Sequence, residues 1–239
     1  MSILLSRKFI SFATDVFLVL VAAAVAAVCF IPAAAVPASG VSPYYNGDRE
    51  GNKVSLMFNV YEGEDVVNGI LDVLSVYGVK ATFFMGGCFA DDREELLLRI
   101  VSEGHEIGNH GYFHLDHDKI SRGKNVEEIE NTGKVIQALS GYTPTLFAPP
   151  SGAFNAATLS AAESLGYSVV MWSKDTIDWR DADEKKVFLR ATDGVRAGDL
   201  ILMHPKRHTL AALPAVLDYY IEKGLKQTTV SDNLFGEKR

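Results

Sequence analysis

Cysteine is nearly absent from this sequence, with two residues in 239, Cys29 and Cys88. Cys29 lies inside an apolar run near the N-terminus, so no structural disulfide is expected and a zinc site built from thiolates is excluded. Any metal must be held by histidine and carboxylate side chains. Basic charge is also short: 23 Lys and Arg stand against 30 Asp and Glu, a formal net charge of −7 with a pI near 5.4. That balance argues against a nucleic-acid backbone or an anionic lipid surface as partner. No internal repeat is visible, and nothing in the sequence sets an oligomeric state. Histidine is scarce, but unevenly so. Four of the six fall within Gly104–His117 (GHEIGNHGYFHLDH).

What remains is globular in composition, 48% hydrophobic with 22% charged residues, and long enough for one sizeable domain plus a short extension. Residues 1–36 read as a signal peptide or a membrane anchor. Arg7 and Lys8 precede the charge-free run Val16–Ile31 (VFLVLVAAAVAAVCFI), which counted on through Val36 approaches the roughly 20 residues that span a bilayer. The small residues at 33–38 equally suit a cleavage site. Cys29 follows Ala-Ala-Val, a poor lipoprotein box, so lipidation is set aside. Either reading makes the protein membrane-anchored or secreted, with its domain on the extracytoplasmic side. Residues 37–52, rich in Pro, Gly and Ser, read as a linker, and 53–235 as the domain.

Within that domain, strand-like and helical patterns alternate. Strands are expected at 53–60, 79–85, 105–109, 145–148, 168–172, 199–203 and 227–230. Helices are expected at 65–77, 91–103, 125–139, 153–165, about 183–195 and 210–223. Alternation of this kind means parallel pairing through right-handed crossovers, in a (β/α) barrel or a doubly wound sheet. Both folds bind ligands at the C-terminal ends of their strands. There the sequence places Asn59, His110, Pro149-Pro150-Ser151-Gly152, Lys174-Asp175 and His204.

His110 and His114 are the metal candidates, because residues four apart on a helical turn share one face. His204, after the apolar run 200–203, is the candidate acid, with a carboxylate such as Asp175 to set its tautomer. Asp178 and Trp179 stand on the same loop, whose alternative reading is an Asx-type turn with a packing tryptophan.

Five segments, VKATFF, GHEIGNHGYFH, GYTPTLFAPPSG, WSKDTIDW and ILMHP, resemble in order and spacing the landmarks of the polysaccharide deacetylases of the NodB-homology group, carbohydrate esterase family four. The resemblance covers about residues 52–233. It implies a distorted (β/α) barrel and metal-assisted removal of N- or O-acetyl groups from a cell-wall glycan, peptidoglycan-like, with a divalent ion, commonly zinc. By position, His110 and His114 resemble the metal histidines, His204 the catalytic acid and Asp175 the carboxylate tuning it. Leu202 and Trp179 resemble the acetate-pocket walls, and Pro150, Ser151 and Gly152 the groove loop.

The sequence departs from that family where it matters most. The family's first landmark carries two consecutive aspartates, the base and the third metal ligand. This chain has Asn59, which cannot accept a proton at neutral pH, and Val60, which cannot bind a metal. The arginine that orients the base is Ala148. These losses agree physically, since an arginine opposite a neutral Asn would be a buried charge without its counter-ion. Glu62 is a candidate replacement ligand or base, unless it belongs to the solvated start of the next helix along with Glu64 and Asp65. Two expectations follow. One is a metal-dependent deacetylase of acetylated glycan, impaired at the base. The other is an inactive, membrane-tethered glycan-binding pseudoenzyme.

Overall fold

In a computed structural model of the chain, the residues described are Thr14, Val16–Val21, Gly40 and 42–236. The chain divides into two units, Met1–Val36 and Pro37–Arg239. Of the first, residues 16–21 are helical and exposed. Among the described residues no helix is long and apolar enough to cross a membrane. The rest of the expected signal or anchor, including Cys29, lies outside the described residues.

The second unit is built on β1 (Lys53–Val60), whose KVSLMFNV sequence is buried from Val54 onward. Near-continuous apolar sequence of this kind marks a strand covered on both faces. It pairs in parallel with β2 (Thr82–Met85) on one side. On the other it pairs with β7 (Leu200–Met203) and, at its start, with β8 (Lys226–Gln227). The ladder continues through β3 (Glu106–Asn109), β4 (Leu146–Phe147) and β5 (Ser168–Val169), and β6 (Lys174–Asp175) flanks β7. All named pairings are parallel. The order β5-β4-β3-β2-β1-β7-β6 makes a curled sheet, the distorted (β/α) barrel expected of the sequence. Its two edges, β5 and β6, are joined by only four residues of chain, 170–173, so the seam is crossed covalently.

Helices α1 (Glu64–Tyr77), α2 (Gly87–Asp91), α3 (Glu94–Ser102), α4 (Arg122–Ser140), α5 (Ala156–Ser164), α6 (Glu184–Thr192), α7 (Arg207–Glu222) and α8 (Val230–Phe235) surround or underlie this sheet. Strand alternation divides the core. Leu56, Phe58 and Val60 join Phe83, Met85, Ile201 and Met203 in the cluster beneath the helices. Met57 joins Phe84, Ala148, Leu200 and Leu202 in the barrel interior. Asn59, two residues beyond Met57, therefore faces inward at the top, and Val60 faces away.

Several boundaries moved. The helix expected at 91–103 starts later, as α3 at Glu94, and a separate short helix, α2, precedes it; between them Arg93 leaves helical geometry (φ −138°) and its Nε reaches Glu64 at 2.8 Å. Val230, expected in the last strand, instead starts α8, whose N-terminus Thr229 caps by accepting from the Asp232 amide. The expected linker is docked at 42–52. Tyr44 bridges Val170 across the seam, Asn46 bridges Asp199, and Arg49 pairs with Asp199 at 2.7 Å. Its composition signalled irregular backbone, which is a different property from freedom of movement.

Candidate active site

A cavity of about 270 Å³ opens at the C-terminal ends of the strands, lined by Asn59, Tyr61, His110, His114, Ser151, Trp172, Asp175, Trp179, Leu202 and His204. Eight of these ten were expected from sequence. Tyr61 and Trp172 were not, though the strand period places Tyr61 on the face of Asn59. The three described non-glycine residues with positive φ, His114 (55°), Ser151 (56°) and Ile177 (52°), all sit in the loops around this cavity. Holding such residues in the left-handed region costs of order 1–3 kcal/mol each, and such strain gathers at ligand sites.

His110 directly follows β3 and is buried. Its Nδ1–H donates to the Ala148 carbonyl at 2.7 Å, which leaves Nε2 as a bare acceptor, buried without a partner. Burial, helped by His114, lowers its pKa to about 3, so the ring is neutral. Burial lowers the pKa of His114 as well. The two rings meet at 5.1 Å between centroids, but not on a helical turn as expected from their spacing. Residues 110–114 form a loop in which Gly111 (φ 71°) and His114 both take left-handed backbone. That loop is pinned by the buried Glu128, whose carboxylate accepts from the Tyr112 and Phe113 amides at 3.0 and 2.8 Å. The Tyr61 ring lies on His114, with centroids 4.1 Å apart.

β7 delivers His204 to the rim as expected, but its carboxylate partner is Asp178 and not Asp175. Asp178 Oδ1 accepts from His204 Nδ1 at 2.7 Å, and Oδ2 accepts from the His204 amide (2.7 Å) and the Thr209 hydroxyl (2.6 Å). Burial alone would raise the Asp178 pKa. The hydrogen bonds and charge of His204, with the Thr209 hydroxyl, overcome burial and lower it. Asp175 faces the cavity while its Oδ1 accepts from the Ile177 amide at 2.7 Å. This Asx turn, with the reversal at Ile177, swings Asp178 beneath the imidazole. Spacing along the sequence could not reveal that reversal. The same loop exposes Trp179, 54% accessible, at the mouth.

Glu62 fails as a replacement ligand. Its carboxylate pairs with Lys206 on the surface, just as Glu64 pairs with Arg93 and Asp65 with Arg207. Pro150, the first residue of the groove loop, is buried. Gly152 packs under Trp172, where a Cβ would stand 2.8 Å from the ring. Catalytic zinc takes three protein ligands. Among the described residues the two imidazoles have no third donor: Val60 faces the helices, Glu62 is committed elsewhere, and a phenol ring covers His114. Among the described residues no group of three or more His, Cys, Asp or Glu could hold a metal. The residues present do not fit a catalytic metal ion. Chemically the cavity offers neutral acceptors, His110 Nε2 and the Asn59 carbonyl oxygen, both buried without partners, between aromatic and indole walls.

Residues 46–170, just over half the chain, match the family model for polysaccharide deacetylase. The chain is 35% identical over 190 residues to the uncharacterized protein YlxY of Bacillus subtilis, covering 80% of this chain and 60% of that protein. It is 34% identical over 207 residues to the peptidoglycan-N-acetylglucosamine deacetylase PgdA of Listeria monocytogenes, covering 84% of this chain and 43% of that protein. The chain thus spans less than two thirds of either relative. Among solved structures it is similar to BA3943, a CE4 family pseudoenzyme from Bacillus anthracis, with a TM-score of 0.79 and 29% identity over 83% of this chain and 70% of that one. A BA3943 mutant with restored enzymatic activity superposes equally, with a TM-score of 0.79 at 28% identity over 83% of this chain and 73% of that one.

Proposed function

The chain belongs to the polysaccharide deacetylase family, and from that premise we propose that it binds an acetylated cell-wall glycan of the peptidoglycan type without hydrolysing it. The observation that carries this reading is the cavity floor. A neutral amide at position 59 and an unpaired His110 Nε2 stand where the family places a base and a metal ligand set. Neutral acceptors suit the N–H and hydroxyl groups of an N-acetylated sugar, and Trp172, Trp179 and Leu202 offer apolar surface for its ring and methyl group. The similarity to a CE4 family pseudoenzyme supports the same reading. The domain works on the extracytoplasmic side of the envelope, carried there by the apolar N-terminal segment.

With two imidazoles and no third donor among the described residues, the metal-dependent chemistry general to the family lacks its ligand set in this chain. One observation favours residual hydrolysis: the His204–Asp178 pair is intact at 2.7 Å, so a general acid is still poised at the rim. Acetate release and sedimentation with purified peptidoglycan decide between the two, with zinc present. The expected result is binding without acetate above background. Acetate release abolished by His204→Ala would establish hydrolysis and overturn the proposal. The variant Asn59→Asp/Val60→Asp/Ala148→Arg tests the reverse direction, by asking whether the missing groups are all that turnover lacks.

A further inference from the structure

Residues 170–173 cross the seam between β5 and β6, and Trp172 among them lines the central cavity. The sheet holds the first and last of these residues. The Val170 amide donates to the Phe147 carbonyl at 2.8 Å, and the Ser173 amide to the Leu200 carbonyl at 3.1 Å. Between them the Met171 amide donates to the Tyr44 carbonyl at 2.8 Å, while the Tyr44 amide donates to the Val169 carbonyl at 2.9 Å. The arm at 42–52 thus supplies backbone partners where the two sheet edges leave a gap. On the glycan-binding reading above, we infer that this arm is part of the sugar site, with Arg49 as a positioning residue that acts through Asp199 and Ser173 to hold the Trp172 indole in the cavity wall.

The link runs through one buried carboxylate. Asp199 is 3% exposed, and its Oδ1 accepts from Arg49 Nη1 at 2.7 Å and from the Ser173 hydroxyl at 2.8 Å. The Ser173 oxygen in turn accepts from the Leu200 amide at 3.0 Å, which ties residue 173 to the start of β7. A buried carboxylate stripped of its cation must move toward water or another partner, and Asp199 would take its hold on Ser173 with it. The arm is also fitted closely. A Cβ on Gly198 would stand 2.8 Å from the Gly47 and Asp48 carbonyl oxygens, and one on Gly47 would overlap the Asn233 side chain. On the cavity side the indole is braced by Gly152, whose φ of 65° and missing side chain let the groove loop pass under the ring. An aromatic wall fixed from both sides in advance loses little freedom when a sugar stacks on it. Arg49 therefore adds affinity without touching the ligand.

The chain has two tryptophans, so Trp179→Phe leaves Trp172 as its one indole. In that background acrylamide quenching reads the exposure of Trp172. Calorimetry of the full-length chain, with Trp179 in place, reads affinity for the β-1,4-linked trisaccharide of N-acetylglucosamine. Arg49→Ala should raise the quenching constant and weaken trisaccharide binding about tenfold. Arg49→Lys should keep both near the wild-type values, because one nitrogen, Nη1, makes the bonds to Asp199 and to the Ala197 carbonyl. Ser173→Ala leaves Arg49 paired with Asp199 and should move both readings in the direction of Arg49→Ala, which keeps the test open if the arginine variant does not fold. Lys53→Ala removes a comparable pair, to Asp232 at 2.8 Å, at the start of β1. It should change the urea midpoint and leave quenching and affinity as they were. Quenching or affinity unmoved by both Arg49→Ala and Ser173→Ala, or moved as far by Lys53→Ala, overturns the positioning role alone. A wild type that binds no trisaccharide overturns it together with the glycan-binding reading.

Discussion

Replacing Asp178 by asparagine should cost this protein about 2 kcal/mol of folding stability, and the figure follows from what the carboxylate holds. Three donors converge on it: the His204 ring, the His204 amide and the Thr209 hydroxyl, all within 2.7 Å. Hydrogen bonds to an ionised group contribute roughly 1.5–3 kcal/mol each. Asparagine keeps one acceptor oxygen, enough for the amide and the hydroxyl, and turns its NH₂ toward the imidazole. His204 can adapt by moving its proton from Nδ1 to Nε2, so one charged hydrogen bond becomes a neutral one of reversed direction. Alanine permits no such exchange and should cost about 3–5 kcal/mol, the penalty for stranding buried partners. Asp175→Asn should cost under about 0.5 kcal/mol, since its one bond, from the Ile177 amide, needs only an oxygen. Urea unfolding at pH 7 measures all three, and nitrogen NMR of the imidazole reads the tautomer. The gap between wild type and Asp178→Asn should also close in acid. The folded carboxyl sits below its usual 3.8, so its stabilisation is complete above about pH 4 and is lost as pH falls through the folded value. Equal losses from Asp175→Asn and Asp178→Asn, or an unchanged tautomer in Asp178→Asn, would refute the assignment.

Other expectations follow from single environments. His105 is buried with Nδ1 accepting from the Ala81 amide. Burial first, then Lys80 and Arg99, lower its pKa to about 4 against the opposing pull of Glu103. A base depressed on folding stabilises fully above its unfolded value of 6.5, and that contribution is lost as pH falls toward 4. His105→Leu should therefore lose stability less steeply between pH 6.5 and 4, by up to about 3 kcal/mol, and parallel urea profiles would contradict this. Glu128→Ala should cost about 2–4 kcal/mol and speed hydrogen exchange at the Tyr112 and Phe113 amides selectively, and a uniform change across the domain would point elsewhere. Val60→Asp alone puts a carboxylate among Phe58, Met85 and Met203 and should cost about 3 kcal/mol or more. Its urea midpoint should not recover with added zinc, and a zinc-dependent recovery would show that residue 60 can turn to the histidines.

The alternation of strand and helix and the strand ends that carry His110, Ser151, Asp175 and His204 were legible in local periodicity and residue chemistry, which a linear pattern records. That carboxylates are missing at 59 and 60 was legible only through the resemblance to the polysaccharide deacetylases. Tertiary structure decided the rest through backbone reversals and faces. The left-handed turn at Ile177 gave His204 its partner in Asp178 instead of Asp175, and packing decided that Val60 joins the core beneath the helices and that the Tyr61 ring lies on His114. A surface lysine claimed Glu62. Residues 42–52, irregular by composition, docked because Val170 and Asp199 offered backbone and charge to meet them. The sequence by itself determined which groups could reach the rim. Which of them face one another depended on where each loop reverses, a long-range property that residue spacing does not encode.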